Sequence, residues 1–156
     1  MAIEIERKFL VLNDRLPLLK DGENITQGYF ATRENQTVRI RMGEQGCFLT
    51  IKGPPCDEGL SRSEFEYEIP SQDAKAMLSE FCGGRTIQKT RYRLSFGGNL
   101  WEVDVFEQSN AGLILAEVEL DHPHRVVDLP MWIGQDVTGE ERYSNRFLAL
   151  SPFSQW

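Results

Sequence analysis

Seven short stretches of this chain place ionisable side chains at every second position. Glu4, Glu6 and Lys8 alternate with Ile3, Ile5 and Phe9; Arg39 and Arg41 stand among Val38, Ile40 and Met42; Thr50 and Lys52 flank Ile51. Glu64, Glu66 and Glu68 enclose Phe65 and Tyr67, and Lys89, Arg91 and Arg93 alternate with Thr90 and Tyr92. Glu102 and Asp104 lie between Trp101, Val103 and Val105, and Glu117 and Glu119 between Ala116, Val118 and Leu120. Strand side chains alternate between faces, so each stretch presents its charges on one side. That side carries nine acids and seven bases. A solvated sheet face is the plain alternative, but like charges at i, i+2 repel unless a cation or an excess of donors gathers them. Arginine forks bind phosphate oxygens bidentately and keep their charge. Paired carboxylates suit hard divalent cations such as Mg²⁺ or Mn²⁺. Together the two sets have the chemistry to hold a linear polyphosphate with divalent metal; a triphosphate carries roughly four negative charges near neutral pH.

The elements that must position these groups are strands. A period of two runs through about 2–11, 25–33, 37–43, 46–53, 62–70, 86–96, 99–106 and 113–121, each bounded by Gly, Pro, Asn or Asp. Gly43-Glu44-Gln45-Gly46 and Gly97-Gly98-Asn99 have the residue types of tight hairpins, so their flanking strands are expected to pair antiparallel. The fold class is mainly β (α+β): eight antiparallel strands closed into a barrel, whose interior can hold side chains or one small ligand, with a few peripheral helices. The clearest helix spans 71–81, with Ser71 as cap, Asp73 in the first turn, Ala74, Met77, Leu78 and Phe81 at helical spacing, and Gly83-Gly84 as the stop. Shorter helices are expected at about 13–19, 130–134 and 144–150.

The 156 residues suffice for one domain, expected to span 1–156, and no linker or repeat divides them. A net charge of −7 argues against a general nucleic-acid binder, so an anionic ligand needs a local basic site. Cys47, Cys56 and Cys82 are odd in number and lack C-x-x-C spacing, which disfavours a disulfide framework or a cysteine zinc site. Glu4, Glu6, Arg7 and Lys8 within the first ten residues leave no apolar run for a signal peptide or membrane span, so a cytoplasmic protein without membrane association is expected.

Ile3-Glu4-Ile5-Glu6-Arg7-Lys8-Phe9 carries E-x-E-x-K and resembles the signature of the CYTH superfamily, the triphosphate tunnel metalloenzymes. Further matches follow in order: Gln27-Gly28-Tyr29, Val38-Arg39-Ile40-Arg41, Thr50-Ile51-Lys52, Gly59-Leu60-Ser61-Arg62, Lys89-Thr90-Arg91-Tyr92, Glu102-Val103-Asp104, Glu117-Val118-Glu119 and Arg142-Tyr143-Ser144-Asn145. The resemblance covers nearly the whole chain and implies an eight-stranded tunnel that binds a triphosphate with two ions, Mg²⁺ or Mn²⁺. By motif, Glu4 and Glu6 resemble ligands of the metal that prepares the attacking water. Glu117 and Glu119 resemble ligands of the metal on the triphosphate, with Asp104 assisting either. Lys8, Arg39, Arg41, Lys52, Lys89 and Arg91 resemble the triphosphate clamp, Lys8, Lys52 and Lys89 counting among the catalytic groups with Glu4 and Glu6. Arg146 resembles the basic plug residue near the tunnel mouth. Glu64 and Glu66 match inward acids of variable role; Arg93 and Glu68 receive none.

Tyr29 suits either strand packing or the positioning of phosphate. His122-Pro123-His124 lacks acidic or cysteine partners at metal spacing and reads as a solvated turn. Trp132 and Trp156 fit either a cover for the barrel's outside or an oligomer contact, and a homodimer is left open. The leading functional expectation is metal-dependent hydrolysis of inorganic triphosphate, since no separate nucleobase pocket is evident and the short chain resembles the family's stand-alone bacterial triphosphatases. The alternatives are a nucleoside or thiamine triphosphatase, a class IV adenylate cyclase, and a non-catalytic polyphosphate-binding module.

Overall fold

The computed structural model describes residues 2–33 and 35–156. Among the described residues nine strands run in chain order: β1 (Ile3–Val11), β2 (Glu23–Tyr29), β3 (Thr37–Gly43), β4 (Gly46–Lys52), β5 (Ser61–Glu68), β6 (Thr86–Phe96), β7 (Asn99–Phe106), β8 (Ile114–Glu119) and β9 (Ile133–Asp136). Two α-helices join them, α1 (Ser71–Phe81) and α2 (Asn145–Leu150). The sheet order is β5-β4-β3-β2-β6-β7-β8-β1-β9, and β5 pairs back onto β1, so eight antiparallel strands close and β9 is an addition. Closure is short, with Ile3, Glu4 and Ile5 of β1 opposite Ser63, Arg62 and Ser61 of β5. Both expected hairpins form, Gly43 opposite Gly46 and Phe96 opposite Asn99, the latter through Gly97 and Gly98 at positive φ (58° and 77°).

The apolar core lies largely outside the barrel wall, because alternation sends the charges inward. On one flank Phe9, Trp101, Val103, Ala116 and Val118 pack under Leu120, Val127 and Trp132. Trp132 meets Trp101 edge-on at 5.8 Å, so it covers the barrel. On the other flank α1 lies over β2, β3 and β4 through Ala74, Cys82, Met77 and Leu78. Gly28 permits this approach, since a Cβ there would stand 2.4 Å from Leu78 Cδ2. At one end Leu148 and Ala149 of α2 pack against Tyr29, Ile87, Phe106 and Leu115.

Three local expectations are corrected. The segment 13–19 holds only a 3₁₀ turn at Asn13–Arg15, because Pro17 forces Leu16 into extended backbone (ψ 136°). The segment 130–134 is not helical: it turns into β9, with Val11 opposite Ile133 and Phe9 opposite Asp136. Ser71 is the first residue of α1, not its cap; Pro70 occupies the cap position. The three cysteines are free. Among the described residues no helix is long and apolar enough to cross a membrane.

Candidate active site

The inward charges surround a cavity of about 820 Å³. Its lining includes Glu4, Glu6 and Lys8 from β1, Arg39 and Arg41 from β3, Lys52 from β4, Lys89 and Arg91 from β6, and Glu117 and Glu119 from β8. Tyr29 and Arg146 also reach it, as do Glu64, Glu66, Arg93 and Glu102. Glu68 lies outside the lining. The sequence-predicted residues therefore converge, with Asp104 as the exception.

Asp104 is 1% exposed and absent from the cavity wall. Arg91 donates to both its carboxylate oxygens, Nε to Oδ1 at 2.8 Å and Nη2 to Oδ2 at 2.9 Å, and Lys89 Nζ donates to Oδ2 at 2.7 Å. Burial pushes its pKa up, but Lys89 and Arg91 outweigh this and hold it below the usual carboxylate range. Its oxygens are thus engaged by Lys89 and Arg91 rather than offered to the lumen. Burial lowers Lys89 to about 8 against the attraction of Asp104.

The acids crowd one another on the β1–β8 wall. Glu6 stands directly opposite Glu119, and Glu117 directly opposite Glu102 and Lys8. Burial, then Glu117 and Glu4, raise Glu6 well above the ordinary value. Glu117 moves the other way: burial pushes it up, but Lys8, Arg91 and Lys89 pull it well below, helped by a hydrogen bond with Glu6. The two carboxyls are therefore pushed in opposite directions, Glu6 toward its protonated form and Glu117 toward its charged form. Glu119 is raised by burial, then by Glu4 and Glu102.

The protein's own ammonium groups occupy several of the remaining acid oxygens. Lys52 Nζ donates to Glu4 at 2.7 Å, and Lys8 Nζ lies 3.4 Å from Glu117. Among the described residues no three acidic, histidine or cysteine side chains are drawn into a ready ligand cluster. The donor set nevertheless fits a hard divalent cation: it offers carboxylate oxygens, opposed as like charges across strands where a cation would relieve them.

The basic wall is arranged differently. Arg39 Nη2 donates to Thr50 at 3.1 Å and to Glu66 at 3.4 Å, and Arg41 Nη2 also meets Glu66 at 3.4 Å. The Tyr29 ring packs beneath α2, and its hydroxyl accepts from Gln27 Nε2 at 2.9 Å beside the cavity. Arg62 is a lining residue that motif reasoning left without a role; its guanidinium donates twice to the Gly53 carbonyl, at 3.1 and 2.7 Å. The alternation Arg62, Glu64, Glu66 was the signal for it. Asn145, whose side chain meets Lys89, had no periodic signal because it lies at a helix start. His122 accepts from the His124 backbone N–H at 3.0 Å in an exposed turn, and Trp156 is stacked by Arg142 at 3.9 Å.

Comparison with known proteins agrees with this geometry. Residues 2–146 match the CYTH domain. The chain is 40% identical over 156 residues to an inorganic triphosphatase of Acetivibrio thermocellus, covering 100% of this chain and 99% of that protein. It is 38% identical over 157 residues to an inorganic triphosphatase of Nitrosomonas europaea, covering 95% and 97%. A crystallised inorganic triphosphatase superposes with a TM-score of 0.65 at 35% identity, covering 94% of this chain and 97% of that one. A charged, eight-stranded antiparallel barrel, matched along nearly its full length in sequence and in structure, places the chain in the CYTH family.

Proposed function

We propose that residues 1–156 act as one triphosphate tunnel domain that hydrolyses inorganic triphosphate to pyrophosphate and phosphate with the help of two Mg²⁺ or Mn²⁺ ions. The observation that carries this is the charge inventory of the cavity. Its lining holds nine Lys and Arg side chains against nine Glu side chains. Such a balanced lining cannot by itself neutralise a triphosphate of roughly four negative charges, whereas two divalent cations can. The names of the two relatives support the choice of substrate.

Glu4, Glu6, Glu117 and Glu119 would hold the ions, which when bound supply charge neutralisation and lower the pKa of water. The chain's own cations do the rest. Arg39 and Arg41 present planar forks to phosphate oxygens, and Lys8, Lys52, Lys89 and Arg91 add point and bidentate donors to the same chain of phosphates. Fixing the phosphates among these groups keeps the reacting phosphorus in line, and positioning with charge stabilisation is most of what phosphoryl transfer requires. Asp104 keeps Lys89 and Arg91 aimed, and Arg146 contributes from α2.

Phosphate release from inorganic triphosphate, ATP, thiamine triphosphate and pyrophosphate tests the reading, with Mg²⁺, Mn²⁺ or EDTA and with cyclic AMP followed in the ATP reactions. Metal-dependent cleavage of inorganic triphosphate far above the others is expected. Cyclic AMP as product, or silence on every substrate, overturns it. Arg39→Ala is expected to raise KM for triphosphate about 10-fold or more, the scale of losing one charge-assisted hydrogen-bonding group. Steady-state kinetics check this, and an unchanged KM and kcat remove Arg39 from the clamp.

A further inference from the structure

Two amide side chains stand between the clamp and the C-terminal helix. Asn145, the first residue of α2, receives Lys89 Nζ on its Oδ1 at 2.8 Å and Gln27 Nε2 at 3.3 Å. Gln27 Nε2 also donates to the Tyr29 hydroxyl at 2.9 Å. Gln27 and Lys89 are 1% and 2% exposed, and the carbonyl oxygen of Gln27 finds no partner among the described residues, so the amide is turned to serve Asn145 and Tyr29. Ser144 caps the helix by accepting from the Phe147 N–H at 3.1 Å, which fixes where Asn145 stands.

A lysine ammonium has three protons. On Lys89 one goes to Asp104 and one to Asn145, on different elements, and the pair defines the direction of the third. Lys89 lines the cavity, so that third proton is the one available to a phosphate oxygen. With Asp104 alone, the direction of the two remaining ammonium protons would be set by nothing but rotation about that one bond. We propose that Asn145, held by Gln27, is a positioning residue that aims Lys89 at the triphosphate. The inference rests on the triphosphatase reading for its substrate. It adds a specific task for α2: the helix supplies the second anchor of a clamp lysine that otherwise belongs to β6.

The test uses the full chain and compares wild type, Asn145→Ala, Lys89→Met and the double variant. Asn145→Ser serves as a second probe that keeps a polar helix start but is too short to reach the ammonium. Three quantities are read: kcat/KM for inorganic triphosphate with Mg²⁺, the dissociation constant for tripolyphosphate in EDTA, and the thermal midpoint. Asn145→Ala and Asn145→Ser are expected to lower kcat/KM and weaken binding about tenfold, the scale of one hydrogen bond to a charged group. Asn145→Ala is expected to cost nothing further once Lys89 is Met. A loss that persists undiminished in the Lys89→Met background, or a lowered midpoint with unchanged kcat/KM and binding, overturns the proposal. If wild type binds tripolyphosphate without cleaving it, the triphosphatase reading fails while the binding arm still decides the role of Asn145. If wild type neither binds nor cleaves, both fall.

Discussion

Glu6→Gln is expected to remove metal-dependent triphosphate cleavage, by about 100-fold or more, while leaving the barrel folded and somewhat more stable in the absence of metal. The two effects share one cause. Glu6 stands opposite Glu119 and near Glu4 and Glu117, so its charge is unwelcome until a cation arrives. A glutamine has the shape of the protonated acid without its charge, but it is a poor ligand for a hard divalent ion. The gain in stability should be about 1 kcal/mol, or about 2–4 °C for a domain of this size.

The pH dependence has a definite sign. Because the folded-state pKa of Glu6 is raised above 4.5, the barrel retains a proton that the unfolded chain has lost. Its contribution is most favourable at and below 4.5 and is lost as pH rises through the raised value. The thermal midpoints of wild type and Glu6→Gln in EDTA should therefore coincide near pH 4.5 and diverge upward from it. Added Mg²⁺ should then raise the wild-type midpoint and leave the variant's nearly unmoved. A variant with full turnover, or one that loses stability at neutral pH, removes Glu6 from the metal wall.

Asp104→Ala should damage the fold strongly, lowering stability by about 3–5 kcal/mol. Lys89 and Arg91 are 2% and 8% exposed, and without Asp104 they would be two cations buried side by side. Thermal denaturation should show the midpoint falling by about 10 °C or more. Were Asp104 a direct metal ligand as well, the Mg²⁺ concentration for half-activation would also rise, whereas with orientation alone it stays unchanged. The measurement therefore separates orientation of the clamp from ligation of the ion.

Much of this site was legible in the residues themselves. A period of two with charges at i, i+2 defines which side chains share a face wherever the stretch is a strand, and that places Glu4 with Glu6, Arg39 with Arg41 and Glu117 with Glu119. Asp104 obeys the same parity as Glu102, yet it is turned away from the lumen because Arg91 on the neighbouring strand reaches it with a fork at 2.8 and 2.9 Å. Parity names a face and says nothing about which partner a side chain finds on it.

Alternation also cannot choose between inside and outside. An antiparallel sheet with this pattern could expose its charges to water, and what turns them inward is the pairing of Ile3–Ile5 with Ser61–Ser63, together with α1, α2 and Trp132 covering apolar surface on the opposite face. The contributions of Asn145 and of β9 are of the same kind. Their positions carry no period of their own and depend on contacts more than fifty residues away, Asn145 with Lys89 and Ile133 with Val11. The local pattern of charge thus determined the strands and the chemistry they could perform. Only closure of the chain on itself decided that this chemistry would be gathered into one enclosed space, because enclosure is a property of distant segments meeting.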